Sequence, residues 1–425
     1  MSKLALLGGK PVIGKRLPAY PSMGKAEEDA VREVVRSGVL SGFYGSPGPE
    51  FLGGPKVRAL EAAWAKRYGV KHAVTMNSAT SGLVAAMGAI GLGPGDEVIL
   101  PPWTMSATAM APLAYGGIPV FADVEDRTFC IDPDSVVANI TDRTRAILAV
   151  NLFGHPAALK RLRDIADARG LYLVEDSAQA PLAQEDGQIA GTVGHIGVFS
   201  LNFHKHIHAG EGGVCVTDDA RLADRLRMIR NHGENSAAEM AKGNLTNLVG
   251  FNLRMTELSA AVALVQLANI DAHVARREKL AKALSDGTRD LAGWTVPAER
   301  HGCRHNYYEW VARFDADVVG VSRELFSKAL AAEGFPHFTG YLAPLYRLPV
   351  FRERKAIGRD GFPFTLSDRT YGDGLCPVTE RLHEHDAVLF EPCAFDVDEA
   401  MADKLVTAIR KVHDNRGELN AAGKA

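Results

Sequence analysis

Residues 199–213 read FSLNFHKHIHAGEGG and lie between two apolar runs, Ile196–Leu201 and Val214–Val216. The runs are typical of strands, and the glycines that follow Lys205 are typical of a turn joining them. A lysine held where two strands meet is expected to be partly removed from water. Burial disfavours the ammonium form and leaves a nucleophilic amine, which an enzyme that forms Schiff bases needs.

A single lysine proves little, because most lysines are solvated surface charges. A second segment, Leu173–Ala180 (LVEDSAQA), places Asp176 at the end of another apolar strand. Ligands of open α/β sheets bind at the carboxyl ends of the strands. The alternative is that Asp176 is an ordinary acid that faces a loop at the end of its strand. A lysine and an acid placed in this way are the first two protein groups that a pyridoxal phosphate enzyme needs.

The composition and charge of the 425-residue chain exclude several classes of protein. The formal net charge of −3 gives no basic field that would attract nucleic acid. No apolar run reaches the ~18 residues of a membrane span, and the opening MSKLALLGG lacks the features of a signal peptide. The 5 cysteines are scattered without metal-ligand spacing, which predicts reduced thiols in a cytoplasmic protein.

Helix-like and strand-like segments alternate between residues 24 and 290, which predicts a mostly parallel sheet covered by helices. One long helix is predicted over Met255–Leu291, where an Ala-rich sequence gives way to a charged one. We interpret this helix as the connector between a large domain, residues 1–272, and a smaller α+β domain, residues 273–425.

Three further segments match the needs of the cofactor. Asn77–Gly82 (NSATSG) lies between a predicted strand and a helix, and a helix N-terminus binds phosphate through its free N–H groups and its dipole. Ser78 fits a simple helix cap equally well. Trp103 and Met105 follow a strand that ends in two prolines, and either could cover the cofactor ring, although a buried tryptophan is more often part of a core.

These segments together resemble the DegT/DnrJ/EryC1/StrS aminotransferases, and the resemblance covers nearly the whole chain. The family pattern has a serine five residues before the cofactor-binding lysine and a glycine five residues after it, as Ser200, Lys205 and Gly210 do here. The matching segments, in order, are Asn77–Leu83, Pro101–Ala111, Glu175–Ala180, Ser200–Gly213 and Gly250–Ala261.

The resemblance implies a fold-type I, pyridoxal phosphate-dependent transferase of the α/β class, with a mostly parallel sheet in the large domain and a smaller α+β C-terminal domain. Lys205 would bind the cofactor covalently and act as general acid and base. Asp176 would pair with the pyridine nitrogen, and Gln179 would contact the ring oxygen. The other predicted cofactor-binding residues are Ser78, Ala79, Thr80 and Ser200 at the phosphate, and Asn202.

By the same resemblance, Asn252 would reach the phosphate of the neighbouring subunit, which predicts a homodimer with shared active sites. Two residues depart from the family pattern. Ala79 replaces a glycine in the phosphate segment, and alanine tolerates positive φ less well. Met105 stands where the family has an aromatic residue, so either its polarizable thioether or Trp103 covers the ring.

The implied reaction moves an amino group from glutamate or glutamine to a ketone. A nucleotide-linked keto-sugar is the commonest acceptor in the family, whereas Leu4–Val12 and Cys376–Arg381 resemble the keto-inositol aminotransferases of aminocyclitol antibiotic pathways. A sugar dehydratase of the same fold and a non-catalytic regulatory relative are the alternatives. Dehydratases carry histidine in place of Lys205, and the intact Lys205, Asp176 and Gln179 argue against a regulatory role.

Two other patterns have competing interpretations. His204, His206 and His208 alternate around Lys205 and would share one face of an extended segment, but the resemblance assigns them no ligand role, and we expect no metal. The Gly/Pro-rich loop Phe43–Pro55 is either a surface insertion or a lid in which Tyr44 and Phe51 exclude water from the pocket.

Overall fold

The computed structural model describes residues 3–46, 48–233 and 247–423. The strands are β1 (His72–Met76), β2 (Glu97–Leu100), β3 (Ile118–Phe121), β4 (Thr144–Val150), β5 (Tyr172–Asp176), β6 (Gln184–Glu185), β7 (Gln188–Ile189), β8 (Ile196–Ser200), β9 (Gly213–Thr217), β10 (Trp294–Thr295), β11 (Cys303–Arg304), β12 (Trp310–Phe314), β13 (Phe338–Thr339) and β14 (Ala387–Phe390). The helices are α1 (Lys25–Ser37), α2 (Pro55–Tyr68), α3 (Ala79–Ala89), α4 (Ser106–Leu113), α5 (Pro133–Asn139), α6 (Leu159–Arg169), α7 (Ala220–Arg230), α8 (Glu257–Ala268), α9 (Ile270–Thr288), α10 (Ala316–Val319), α11 (Arg323–Ala332), α12 (Pro349–Arg352), α13 (Pro377–Arg381), α14 (Glu399–Asp414) and α15 (Arg416–Gly423).

The large sheet has 7 strands in the order β1-β9-β8-β5-β4-β2-β3. Strands β8, β5, β4, β2 and β3 pair in parallel, whereas β9 runs antiparallel to both of its neighbours, β8 and β1. The predicted α/β fold with a mostly parallel sheet is therefore confirmed. Parallel strands need a cover on both faces, and the strand-helix alternation in the sequence supplies it.

Alternate residues of one strand enter two different cores, as the pleat requires. Val98 of β2 belongs to a cluster with Leu83 and Leu226, which come from the helices α3 and α7. The next residue, Ile99, belongs to a second cluster that includes Leu162 of α6. The sheet is thus buried between helices on both faces. The ends of its strands are not covered in this way and are available to a ligand.

A smaller antiparallel sheet has the order β10-β12-β14-β13. Its residue Trp310 packs in a core with Phe326 and Leu405, which come from α11 and α14. Leu4 and Ile13 belong to this same core, so the N-terminal segment packs against C-terminal residues. The division into domains at residues 272 and 273 stays a prediction.

The prediction of one continuous helix over Met255–Leu291 is wrong, because α8 and α9 meet at Asn269 with a bend of 58°. The bend turns the charged α9 away from α8 and towards the smaller core. No single helix among the described residues is long and apolar enough to cross a membrane. The helices α8 and α9 satisfy the criteria of length and composition for a membrane span only when they are counted as one segment.

Candidate active site

Asp176 is the last residue of strand β5, and it is buried at the carboxyl end of that strand in the large sheet. The Thr108 hydroxyl donates a hydrogen bond of 2.9 Å to Oδ2, and the Ala178 N–H donates one of 3.1 Å to Oδ1. Burial raises the pKa of Asp176, while these two donors and the nearby charge of Lys205 act in the opposite direction. The acid is therefore fixed in position and suited to a cationic partner.

Lys205 lies in the connection between β8 and β9 and is 9% exposed. Its Nζ is 4.3 Å from the centre of the Tyr308 ring. The Nζ amine makes no hydrogen bond or ion pair with any residue that the structure describes, whereas the backbone N–H of Lys205 donates to the Asn202 carbonyl oxygen at 3.0 Å. Burial lowers the pKa of Lys205, and Asp176 partly offsets this effect. A buried amine without a hydrogen-bond partner is well suited to a covalent link with an aldehyde.

Gly213, the first residue of β9, lies between the two segments that are predicted to bind the phosphate, one at Ser78–Thr80 and the other at Ser200. It pairs with Ser200 of β8 and with Met76 of β1. A Cβ atom at Gly213 would be 2.5 Å from the Ser78 carbonyl oxygen and 2.6 Å from the Ala79 nitrogen. The absence of a side chain therefore allows the N-terminus of α3 to lie beside Ser200.

Ser78 caps α3, since its Oγ accepts a 3.1 Å hydrogen bond from the Ser81 N–H. The cap and the phosphate role are compatible, because the remaining N–H groups of the first turn point out of the helix end. Thr80 is exposed at that end. Asn202 donates its N–H to Ser200 Oγ at 3.2 Å and keeps a buried Oδ1 without a partner. The residues present fit pyridoxal phosphate at its phosphate, its ring nitrogen and its aldehyde.

The structure separates the two candidates for the ring cover. Trp103 is 0% exposed, and its indole N–H donates to the carbonyl oxygens of Gly340 and Leu342 at 3.2 and 2.9 Å. Met105 is 49% exposed and lines the cavity that contains Lys205. Trp103 is thus a core residue, and Met105 is the better placed of the two.

Gln179 lines the same cavity, and its amide is held at both ends. Its Oε1 accepts a 2.6 Å hydrogen bond from the Phe153 N–H, and its Nε2 donates to the Tyr341 hydroxyl at 3.1 Å. Because Nε2 carries two hydrogens and donates one of them to Tyr341, the second is left for the predicted contact with a ring oxygen.

Asn252 lies close to the phosphate segment of its own chain. The Asn77 amide is 3.5 Å from the Asn252 carbonyl oxygen, and the Asn77 N–H donates to Leu253 at 2.8 Å. The Arg254 N–H is 3.4 Å from Asn252 Oδ1. The role of Asn252 towards a neighbouring subunit stays a prediction.

The cavity around Lys205 has a volume of about 610 Å³ and contains residues that the sequence did not single out. They come from five separate parts of the chain, so no local motif marks them; the most polar are Tyr20, Arg277, Tyr308, Tyr341 and Glu391. Burial raises the pKa of Glu391, and the charge of Lys205 opposes that shift. The cavity therefore combines acidic, basic and aromatic groups around one amine.

The segment that carries the three histidines is not extended, so the condition under which they would share one face is not met. His206 is buried with Nε2 3.0 Å from the Asn306 carbonyl oxygen, while His208 Nε2 is 2.6 Å from Ser22 Oγ. Within residues 3–46, 48–233 and 247–423 there is no group of three His, Cys, Asp or Glu side chains arranged for a metal ion.

Of the two interpretations of the loop Phe43–Pro55, the lid does not fit the cavity of its own chain. Phe51 is buried against Met228, and Tyr44 is exposed. No described residue of the loop Phe43–Pro55 lines the cavity. The interpretation of Phe51 as a side chain that excludes water from this pocket is therefore wrong.

A mostly parallel sheet that brings a buried lysine, a buried acid and a helix N-terminus together at its strand ends is typical of a pyridoxal phosphate-dependent enzyme of fold type I. Residues 21–388 match the model of the DegT/DnrJ/EryC1/StrS aminotransferase family, and the chain belongs to that family. It is a pyridoxal phosphate-dependent aminotransferase, and the resemblance seen in the sequence is confirmed.

Two curated relatives match over the full length. The L-glutamine:2-deoxy-scyllo-inosose aminotransferase of Streptomyces kanamyceticus is 34% identical over 438 residues, covering 99% of each chain. The L-glutamine:scyllo-inosose aminotransferase of Streptomyces griseus is 34% identical over 433 residues, again covering 99% of each. Among solved structures, DesI in the presence of its TDP-sugar product has a TM-score of 0.79 at 30% identity, with 99% of both chains covered.

Proposed function

We propose that this aminotransferase moves the amino group of L-glutamine to the ketone of a keto-cyclitol of the inosose type. The observation that carries the proposal is the full-length similarity to two enzymes named for this donor and for inosose acceptors. Glutamate is the alternative donor. A nucleotide-linked keto-sugar is the alternative acceptor, favoured by the similarity to DesI.

When bound, pyridoxal phosphate supplies an aldehyde that carries the amino group and a protonated ring that stabilises negative charge on the reacting carbon. The Asp176 carboxylate would pair with the ring nitrogen, and that pairing would offset the burial of the acid. Lys205 Nζ would take up the proton of the donor carbon as general base and give it as general acid to the carbon of the cofactor. The lowered pKa of Lys205 makes more of the neutral amine available for the first of these transfers.

The surrounding residues position these groups. Ser78, Ala79, Thr80 and Ser200 would hold the phosphate, with Asn202 beside Ser200. Met105 would cover the ring, and Gln179, held by the Phe153 N–H and the Tyr341 hydroxyl, would contact the ring oxygen.

A half-reaction experiment tests the acceptor. The protein in its pyridoxamine form is offered 2-deoxy-scyllo-inosose, scyllo-inosose or a TDP-linked keto-sugar, and return of the pyridoxal absorbance is followed. We expect the inososes to restore it and the Lys205→Ala protein to show no change. Restoration by the TDP-sugar alone would contradict the keto-cyclitol proposal and leave the aminotransferase class intact.

We also propose a homodimer in which Asn252 contributes to the partner's site, and a cytoplasmic location. Apolar side chains exposed beside the site support the dimer: Phe203 is 67% exposed and Phe251, next to Asn252, is 37% exposed. Such side chains are commonly covered in an interface. Sedimentation of the purified protein at several concentrations tests the oligomeric state.

A further inference from the structure

Arg277 is a buried charge without an acidic partner among the residues that the structure describes. Its side chain belongs to α9, the residue is 2% exposed, and it lines the cavity that contains Lys205. No described carboxylate lies within salt-bridge distance of its guanidinium, and its Nε has no hydrogen-bond partner. Arg230, which is buried as completely, is instead paired with Glu61 at 2.5 Å. A buried cation is normally paired, so the structure leaves a position for an anion at Arg277.

The guanidinium is held in place without being neutralised. Its NH1 donates to the His273 carbonyl oxygen at 2.7 Å, and its carbon lies 4.3 Å from the centre of the Tyr20 ring. The Tyr20 hydroxyl is in turn 2.7 Å from His273 Nδ1. These contacts fix the plane of the guanidinium, and they use a carbonyl oxygen and a π-face rather than a carboxylate.

The charged groups around Arg277 do not cancel its charge. Burial lowers the pKa of His273 to about 4 and of His206 to about 3, and the charge of Arg277 shifts both in the same direction. Both imidazoles are therefore neutral near pH 7. Glu391, the carboxyl group that lines the cavity, is beyond salt-bridge distance from the guanidinium.

We propose that Arg277 binds the α-carboxylate of the amino donor. Every amino-acid donor carries this group, whereas an inosose acceptor carries no anion, so the inference rests on the proposed function. The planar fork of a guanidinium binds a carboxylate through two parallel hydrogen bonds, which fixes orientation as well as position. Arg277 would thereby orient the donor carbon towards the amine of Lys205. The residue is a specificity determinant for the donor half-reaction alone.

The test compares Arg277→Gln with Arg276→Gln in the cofactor-bound enzyme. Arg276 is the neighbouring residue on α9, lies 5.1 Å from the same Tyr20 ring and is already paired with Asp396. Calorimetry measures binding of glutarate, a carboxylate that lacks an amino group and cannot react. We expect Arg277→Gln to weaken glutarate binding and to raise the Michaelis constant for glutamine, each by about tenfold or more. Arg276→Gln should leave both values within about twofold of the wild type, the scatter of a surface change.

The acceptor half-reaction provides the second measurement. We expect its Michaelis constant to stay unchanged in Arg277→Gln, because the acceptor is neutral. If the Michaelis constant for the acceptor rose while that for the donor stayed unchanged, the proposal would be overturned. Arg277 would then be assigned to an anionic acceptor such as a nucleotide-linked sugar. Unchanged values for both would also overturn it.

Two features keep the result interpretable. Arg277→Lys retains the positive charge but not the planar fork of the guanidinium. It should therefore recover part of the glutarate affinity that Arg277→Gln loses, and this comparison holds even if the Arg277→Gln protein folds poorly. Glutarate binding also does not depend on which ketone is used. Wild-type enzyme that binds glutarate through Arg277 but fails with every inosose would contradict the proposed acceptor only.

Discussion

Gly213 and Ser78 approach each other so closely that a Cβ atom on Gly213 would lie 2.5 Å from the Ser78 carbonyl oxygen. This contact links β9 to the start of α3, and it places the capping serine beside Ser200 of β8. Hydroxyl and N–H groups from two segments far apart in the chain therefore meet at one point. The contact gives the phosphate position a steric requirement that can be tested directly.

We expect Gly213→Ala to weaken pyridoxal phosphate binding, because the added methyl group must push the Ser78–Ala79 backbone away. Overpacking of this kind costs about 1–3 kcal/mol. Fluorescence titration of the apo-protein with the cofactor measures the change. Gly372→Ala is the control, since a Cβ atom there meets nothing within 4 Å. Equal affinity in the two variants would mean that the 78–79 segment does not bind the phosphate.

Lys205→Ala should abolish the covalent link to pyridoxal phosphate and all turnover, because it removes both the anchor and the proton carrier. Borohydride reduction of the wild-type holoenzyme, followed by peptide mass spectrometry, should label Lys205. A label on any other lysine would show that the assignment is wrong.

The pH dependence of cofactor binding follows from the same residue. Burial lowers the pKa of Lys205 from its ordinary value of 10.5, so the neutral amine that attacks the aldehyde is present at lower pH than for an exposed lysine. The rate of covalent binding by the apo-protein should rise with pH and level off below pH 10.5. A rate that still increases through that pH would mean that the amine is not desolvated before the cofactor binds.

Asp176→Asn should slow transamination strongly. The amide can replace the carboxylate in shape and can still accept a hydrogen bond from Thr108, but it cannot hold a positive charge on the ring nitrogen. Loss of one partner of a buried ion pair costs about 3–5 kcal/mol, which corresponds to a fall of about a hundredfold or more in rate. Stopped-flow measurement of the donor half-reaction gives the value. Near-normal rates in Asp176→Asn would show that Asp176 does not pair with the ring nitrogen.

Met105→Ala and Trp103→Phe should separate catalysis from stability. Trp103→Phe removes the indole N–H that donates to the carbonyl oxygens of Gly340 and Leu342, which costs about 1–3 kcal/mol of folding free energy. Met105→Ala removes a half-exposed side chain, so it should change the absorbance and affinity of the bound cofactor with little effect on the melting temperature. The reverse pattern would identify Trp103 as the ring cover.

The proposed dimer predicts complementation between two inactive chains. If Asn252 serves the partner's phosphate, mixed dimers of Lys205→Ala and Asn252→Ala chains contain one site with both defects and one with neither. Mixing should then restore activity. No recovery, with mixed dimers shown to form, would place Asn252 in the site of its own subunit, where the contact with Asn77 already puts its backbone.

The sequence predicted the parts of this site that lie next to strands in the chain. Asp176 and Ser200 end strands, Ser78 begins a helix, and the strand-helix alternation indicated where those ends would meet. It could not predict the bend between α8 and α9, because Asn269 is neither proline nor glycine and the apolar spacing continues on both sides of it. Nor could it identify Arg277, which in sequence is one of several charged residues on a helix. That none of the described carboxylates pairs with Arg277 is a property of the folded molecule.

The N-terminal segment has a consequence for the order of folding. The Glu333 carboxylate accepts hydrogen bonds from the backbone of Ala5 and Val12, across 328 and 321 residues, and Leu4 packs in the core with Leu419. During synthesis on the ribosome this apolar segment has no core to join until the far end of the chain emerges. The large sheet can pair its strands earlier, since they lie between residues 72 and 217. Closing the smaller core therefore follows the pairing of the large sheet, and a chain released before residue 419 is made would expose Leu4 and Ile13 to chaperones or to aggregation.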